Sequence, residues 1–195
     1  MRELFHSDSA AFTFPYRVDY THPRAVEMCA EKLTLALGAL PPGSELVCLC
    51  IGTDRSTGDS LGPLVGTMLE KMASPSLRIY GTLDEPVHAV NLRATLEEMR
   101  RNLKNPRIIA VDACLGNLHS VGSIQVGMGP LKPGAGVNKN LPEVGEVHIT
   151  GIVNVAGFME YFVLQNTRLS IVMKMADIIS RSIQSVVTRL HREAT

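Results

Sequence analysis

Two aspartates stand out by where the chain places them. Asp59 lies in the polar stretch Gly52-Thr53-Asp54-Arg55-Ser56-Thr57-Gly58-Asp59-Ser60, between the apolar run Leu46–Ile51 and a helical pattern that starts near Leu61. Asp112 follows a second apolar run, Ile108-Ile109-Ala110-Val111. A strand, a tight loop and a helix in succession present the loop at the carboxyl edge of an α/β sheet, where such folds bind ligands. Two carboxylates delivered to that edge can share acid–base work. One activates a water, while the other stays protonated and donates to a scissile carbonyl, because two neighbouring acids cannot both ionise cheaply. The alternative assigns Asp59 to capping the helix and Asp112 to satisfying loop amides.

Other residues compete for chemical roles. Thr53, Asp54 and Arg55 lie at the strand end and are placed to orient a peptide backbone, although a loop ion pair serves Asp54 and Arg55 equally well. His148 sits in a short extended segment, as a further substrate-binding residue or as a hydrogen-bonded structural one. Cys114 follows Asp112 by two residues and would need His119 or His148 as a base to act as a nucleophile, with no local signature in support. Gly58-Asp59-Ser60-Leu61 spells the motif of the GDSL esterases, which would make Ser60 the nucleophile. In those enzymes the Ser directly follows a strand and an Asp-x-x-His pair lies near the carboxyl end. Here a loop separates Ile51 from Ser60, and Thr188 occupies the place three before His191. A serine hydrolase is the second enzyme reading.

The elements that must hold these groups follow from composition and periodicity. A chain of 195 residues suffices for one well-filled core, and no linker divides it, so one domain over 1–195 is expected, with residues 1–20 as a flexible arm or an edge strand. Lys plus Arg and Asp plus Glu both total 19, so no net field points to nucleic acid or an acidic membrane. Met1–Ala11 lacks the apolar core of a secretory signal, and no apolar run approaches a membrane span, which predicts a cytoplasmic protein. The 4 Cys then read as reduced, buried thiols.

Along the chain, Thr21–Pro23 reads as the start of a helix carrying Val26, Ala30, Leu33 and Leu37, closed by Gly38. Leu46–Ile51 reads as a central strand. The next helix carries Leu61 to Met72, with Asp59 or Ser60 as cap and Pro63 in its first turn. A strand at Leu77–Tyr80, a helix from Leu92 to Leu103 and a strand at Arg107–Val111 follow. Ser123–Met128 comes too soon after that strand for a helical crossover, which predicts an antiparallel neighbour. The stretch 129–145, with Lys132 and Lys139, reads as a long loop. After it come an extended segment with His148, a short helix at Phe158–Leu164 and a long helix with Leu169, Val172, Ala176, Ile179, Ile183, Val186 and Leu190 on one face. Alternating strands and helices make the class α/β, with helices on both faces of a mixed sheet.

The block Gly52–Pro63, with Gly58-Asp59-Ser60-Leu61-Gly62-Pro63 at its end, resembles the first signature of the bacterial spore germination protease and the matching segment of hydrogenase maturation endopeptidases. Val111-Asp112-Ala113 resembles their second acidic signature. The small sporulation proteins called the YyaC family are more similar still, through Gly151–Met159 and Leu164–Leu169, over the chain from about Leu46 onward. The resemblance implies a three-layer α/β/α fold with a mixed, mainly parallel central sheet and an acidic peptidase centre at Asp59 and Asp112. In the maturation enzymes two acids and a histidine surround a metal, and His148 is the positional candidate for that histidine. The chain is much shorter than the germination protease and lacks its extra segments. The expectation is a cytosolic endopeptidase of the sporulation type, acting on a protein or peptide with an aspartate pair and with no cofactor or bound metal. Homo-oligomerisation is left open. A catalytically silent peptide- or partner-binding protein is the alternative from another class.

Overall fold

The computed structural model describes residues 14–134 and 141–193. Residues 1–13 of the expected arm and Lys139 of the long loop lie outside the described residues. The elements run β1 (Tyr16–Asp19), α1 (Ala25–Leu37), β2 (Leu46–Cys50), α2 (Leu61–Met72), β3 (Arg78–Tyr80), α3 (Leu92–Asn102), β4 (Arg107–Gly116), a short 3-10 turn (Leu118–Ser120), β5 (Ser123–Met128), β6 (Val147–Val155), α4 (Glu160–Gln165) and α5 (Leu169–Glu193).

Six strands form one sheet in the order β1-β5-β6-β4-β2-β3. β3, β2, β4 and β6 are parallel, while β5 runs antiparallel to both β6 and β1. The mixed, mainly parallel sheet flanked by helices is the expected fold class. β5 is antiparallel as predicted, but it does not lie beside β4. The 3-10 turn leaves room for β6 to insert between them, so the strand that follows β4 in sequence is its second neighbour in space.

Side-chain alternation explains why each strand belongs where it does. Cys48, Cys50, Ile109, Val111, Val147, Ile149, Ile124, Val126 and Val18 point to one face and share a core with α1, α2 and α5. Val47, Leu49, Ile51 and Ala110 point to the other, where Leu92, Leu96 and Met99 of α3 cover them together with Leu131 and Val144. β2 is apolar at every position because both of its faces are covered. The four cysteines are free, and Cys48 and Cys50 sit buried with their Sγ atoms 3.5 Å apart. In α5 the stripe Val172, Ala176, Ile179, Ile183 and Val186 is fully buried, whereas Leu169, at the first helical residue, stays exposed. The Ser182 hydroxyl ties this helix to α1 by donating to the carbonyls of Ile178 and Val26 at 2.7 and 3.0 Å. α1 starts at Ala25, so Pro23 precedes it instead of opening it. Among the described residues no helix is long and apolar enough to cross a membrane.

Candidate active site

β2 stops pairing where the acidic residues begin. Its last link to β4 is the Ile51 amide, which donates to the Val111 carbonyl at 2.7 Å. The chain then turns at Gly52, whose amide donates to the Val87 carbonyl at 2.8 Å. Gly52 has φ +149°, and a Cβ there would stand 2.0 Å from the Asp59 carbonyl oxygen. Only glycine admits that approach. The loop closes on itself through the Thr53 amide, which donates to the same Asp59 carbonyl at 3.1 Å. Asp59 is therefore clamped by its own backbone to the end of β2.

β4 is longer than its sequence suggests. Asp112 was expected just past the strand, but β4 continues to Gly116, and Asp112 pairs in register with Thr150 of β6. It lies beyond the last residue pair with β2, Cys50 with Val111, so one flank of Asp112 is still sheet and the other is open to the Gly52–Ser60 loop. Its side chain continues the face of Ile108 and Ala110. The Asp112 Oδ1 accepts the Ala113 amide at 2.8 Å. Burial pushes its carboxyl well above the usual carboxylate range, the negative charge of Asp59 pushes it further, and the Ala113 hydrogen bond opposes both. The arrangement favours the neutral form of Asp112.

Ser60 is buried, and its hydroxyl donates to the Thr57 carbonyl at 2.7 Å. Ser60 occupies the cap position of α2 but makes no side-chain cap bond, its hydroxyl being turned back into the loop. Pro63 does fall in the first turn. The Cys114 thiol is held above its ordinary pKa by burial, against a hydrogen bond from Thr150 and the charge of Arg17. A thiol kept protonated is a poor nucleophile.

Asp54 and Arg55 are exposed and Thr53 half-buried. The Thr53 Oγ1 accepts the Arg55 amide at 3.3 Å, and the ion pairs among described residues join other side chains. His148 lies near the start of β6, in register with Ala110 and Gly127, and its Nδ1 bonds the Gly129 carbonyl at 2.9 Å. It shares the face of Asp112 but sits two residues nearer the amino edge than Thr150. Among the described residues no three His, Cys, Asp or Glu side chains converge on a common metal position. The histidine expected to complete an acid–acid–His metal set is thus not gathered with the two acids.

Two features escaped the sequence reading. A cleft of about 450 Å³ beside the acidic loop is lined by Asn154, Val155, Phe158, Met159, Phe162 and neighbouring residues. The Gly58 amide donates to the Leu164 carbonyl at 2.9 Å, which fixes α4 against the loop. Phe158 is 91% exposed on the rim. The second is the polar face around Thr150, which no periodicity announces because it depends on strand register.

Comparison with known proteins adds a family and a fold. The family model "Protein of unknown function (DUF1256)" matches residues 17–182. The "Uncharacterized protein YyaC" of Bacillus subtilis (strain 168) is 62% identical over 141 residues, 72% of this chain and 69% of that protein. A solved structure, the [NiFe] hydrogenase maturation protease HycI from Thermococcus kodakarensis KOD1, superposes with a TM-score of 0.51 at 14% identity, covering 74% of this chain and 92% of that one. At that identity the likeness concerns the fold.

Proposed function

Because the chain belongs to the DUF1256 family, which includes its YyaC relative, and carries paired acids on a maturation-protease-like fold, we propose that it is an aspartate-dependent endopeptidase. The observation that carries the proposal is the raised carboxyl of Asp112, caused by burial and by the charge of Asp59. Opposite protonation states on neighbouring acids are what general acid–base hydrolysis requires.

In this reading Asp59 takes a proton from a water as its oxygen attacks the peptide carbonyl, and Asp112 gives its proton to the carbonyl oxygen. The resulting tetrahedral diol collapses when Asp59 passes its proton to the leaving nitrogen and Asp112 recovers one from the diol. Water is consumed, and both carboxyls return to their starting states. Thr53, Asp54 and Arg55 orient the substrate backbone from the loop, and His148 stands on the same sheet face as a more distant contact. The substrate is a cytosolic protein of sporulation or germination, a choice supported by the resemblance of the two acidic segments to the germination protease.

A second reading, favoured by the exposed Phe158, Tyr161 and Phe162, is a protein that binds a peptide or partner without cutting it. The buried, hydrogen-bonded Ser60 disfavours the esterase reading. Incubating purified protein with peptide libraries and candidate spore proteins, and reading new termini by mass spectrometry, separates these. New termini formed by wild type and absent in Asp59→Asn and Asp112→Asn support the peptidase; binding without new termini supports the second reading.

A further inference from the structure

The apolar cover over the α3 face ends at β4. No residue of β6, β5 or β1 belongs to that cluster. In its place the registers line up a row of polar residues: Arg17 with Gln125, Gln125 with Thr150, and Thr150 with Asp112. Residues in register across a sheet share a face, so one polar row crosses four strands and ends at the candidate catalytic acid. A hydrogen bond joins its first two members, and Cys114 of β4 interacts with two of the four. The Arg17 Nε donates to the Gln125 Oε1 at 3.1 Å, Thr150 hydrogen-bonds Cys114, and the Arg17 charge is felt at the Cys114 thiol.

At its β1 and β5 end the row lies open to solvent, where polar groups cost little, while Thr150 is buried. Arg17 is exposed, and Gln125 half-buried. The bond through Nε leaves both terminal nitrogens of the Arg17 guanidinium, a geometry suited to a carboxylate. With its Oε1 occupied, Gln125 presents an amide NH2 donor midway along the row. The acid nearest Arg17 on its own strand and face, Asp19, is turned away, its Oδ1 accepting the Thr21 amide at 2.8 Å.

We propose that this polar face is the platform on which the substrate chain lies, with Arg17 binding a carboxylate of the substrate and Gln125 holding its backbone. This rests on the peptidase reading. Three strand spacings separate Arg17 from Asp112, roughly 14 Å, so the anchored carboxylate stands about three to four extended residues from the bond to be cut. The carboxylate is a Glu or Asp side chain, or the carboxyl terminus of the substrate.

The test uses the full chain and fluorescein-labelled decapeptide pools in which one position at a time is Glu, Gln or Lys, each pool made with a free and an amidated carboxyl end. Anisotropy reads binding, and mass spectrometry of the same samples reads cleavage. Wild type should retain carboxylate-bearing pools about threefold to tenfold better than their Gln or amide counterparts, the range expected of one charge-assisted pair at a surface. Preference for Glu identifies a side chain, and preference for the free end identifies a terminus. Arg17→Gln should erase the preference with an unchanged melting curve, and Arg17→Glu should turn it toward Lys pools. No carboxylate preference in wild type, or the same preference in Arg17→Gln, overturns the platform. If the preference depends on Arg17 but no peptide is cut, the platform stands and the peptidase reading fails.

Discussion

The charge of Asp59 reaches the buried carboxyl of Asp112 and helps hold it protonated. Neither residue lies on the same element, nor does either owe its place to the other. Asp59 is fixed by the Gly52 turn and the Thr53 amide, and Asp112 by its register with Thr150. That coupling gives the first expectation. Asp59→Asn removes the negative neighbour, so the pKa of Asp112 should fall toward the ordinary range while remaining raised by burial. Carboxyl-carbon NMR titration of the two proteins reads it directly. An unchanged titration would show that burial alone sets the value.

Stability should carry the same signature. A carboxyl whose pKa is raised on folding binds more protons in the folded state than in the unfolded one between the two values, so stability falls as pH rises through that window. The contribution is fully present below the unfolded value, about 3.9 for Asp, and is lost as pH passes the raised folded value of Asp112. Asp112→Asn keeps an oxygen for the Ala113 amide and cannot ionise, so it should melt above wild type at neutral pH, with the gap closing in acid. Thermal melts across pH 3–9 (roughly the span of a strongly shifted carboxyl) would contradict this if the variant melts lower at every pH.

Gly52→Ala should damage the site through Asp59. Its Cβ would press on the Asp59 carbonyl, and its φ is one that side chains rarely adopt. A cost of about 1–3 kcal/mol is expected, together with loss of the Asp59-dependent part of the Asp112 shift. Denaturant unfolding and the same NMR titration check both parts. A variant with wild-type values in each would show that the loop clamp does not place Asp59.

Ser60→Ala and Cys114→Ala separate acid chemistry from nucleophilic alternatives. The Ser60 hydroxyl spends its proton on the Thr57 carbonyl, so its removal should cost about 1 kcal/mol and leave cleavage largely intact. Cys114→Ala should also cut, because the proposed route forms no covalent intermediate. Loss of turnover by orders of magnitude in a folded Ser60→Ala protein would transfer the chemistry to that serine.

What could be read from the sequence depended on how local the cause was. Leu46–Ile51 and Ile108–Val111 announced central strands because both faces of each are covered, and the break at Gly52 announced the loop. The end of β4 was not legible. Asp112 to Gly116 read as loop because its polar and small residues look like one, yet pairing with β6 keeps the segment extended. The Ser60 side chain does not cap α2, because its hydroxyl is turned back to donate to the Thr57 carbonyl and its oxygen accepts no helix amide. The polar row from Arg17 to Asp112 joins residues 17, 125, 150 and 112, and only the insertion of β6 between β4 and β5 brings them into line.

The central claim is that Asp59 and Asp112 together hydrolyse a peptide bond. The most direct measurement is cleavage of one identified peptide by wild type, Asp59→Asn and Asp112→Asn, with melting curves showing all three folded. Wild type should cut, with each variant losing at least about a hundredfold in kcat, the scale of a removed general acid or base. Full turnover in a folded Asp112→Asn protein would contradict the account.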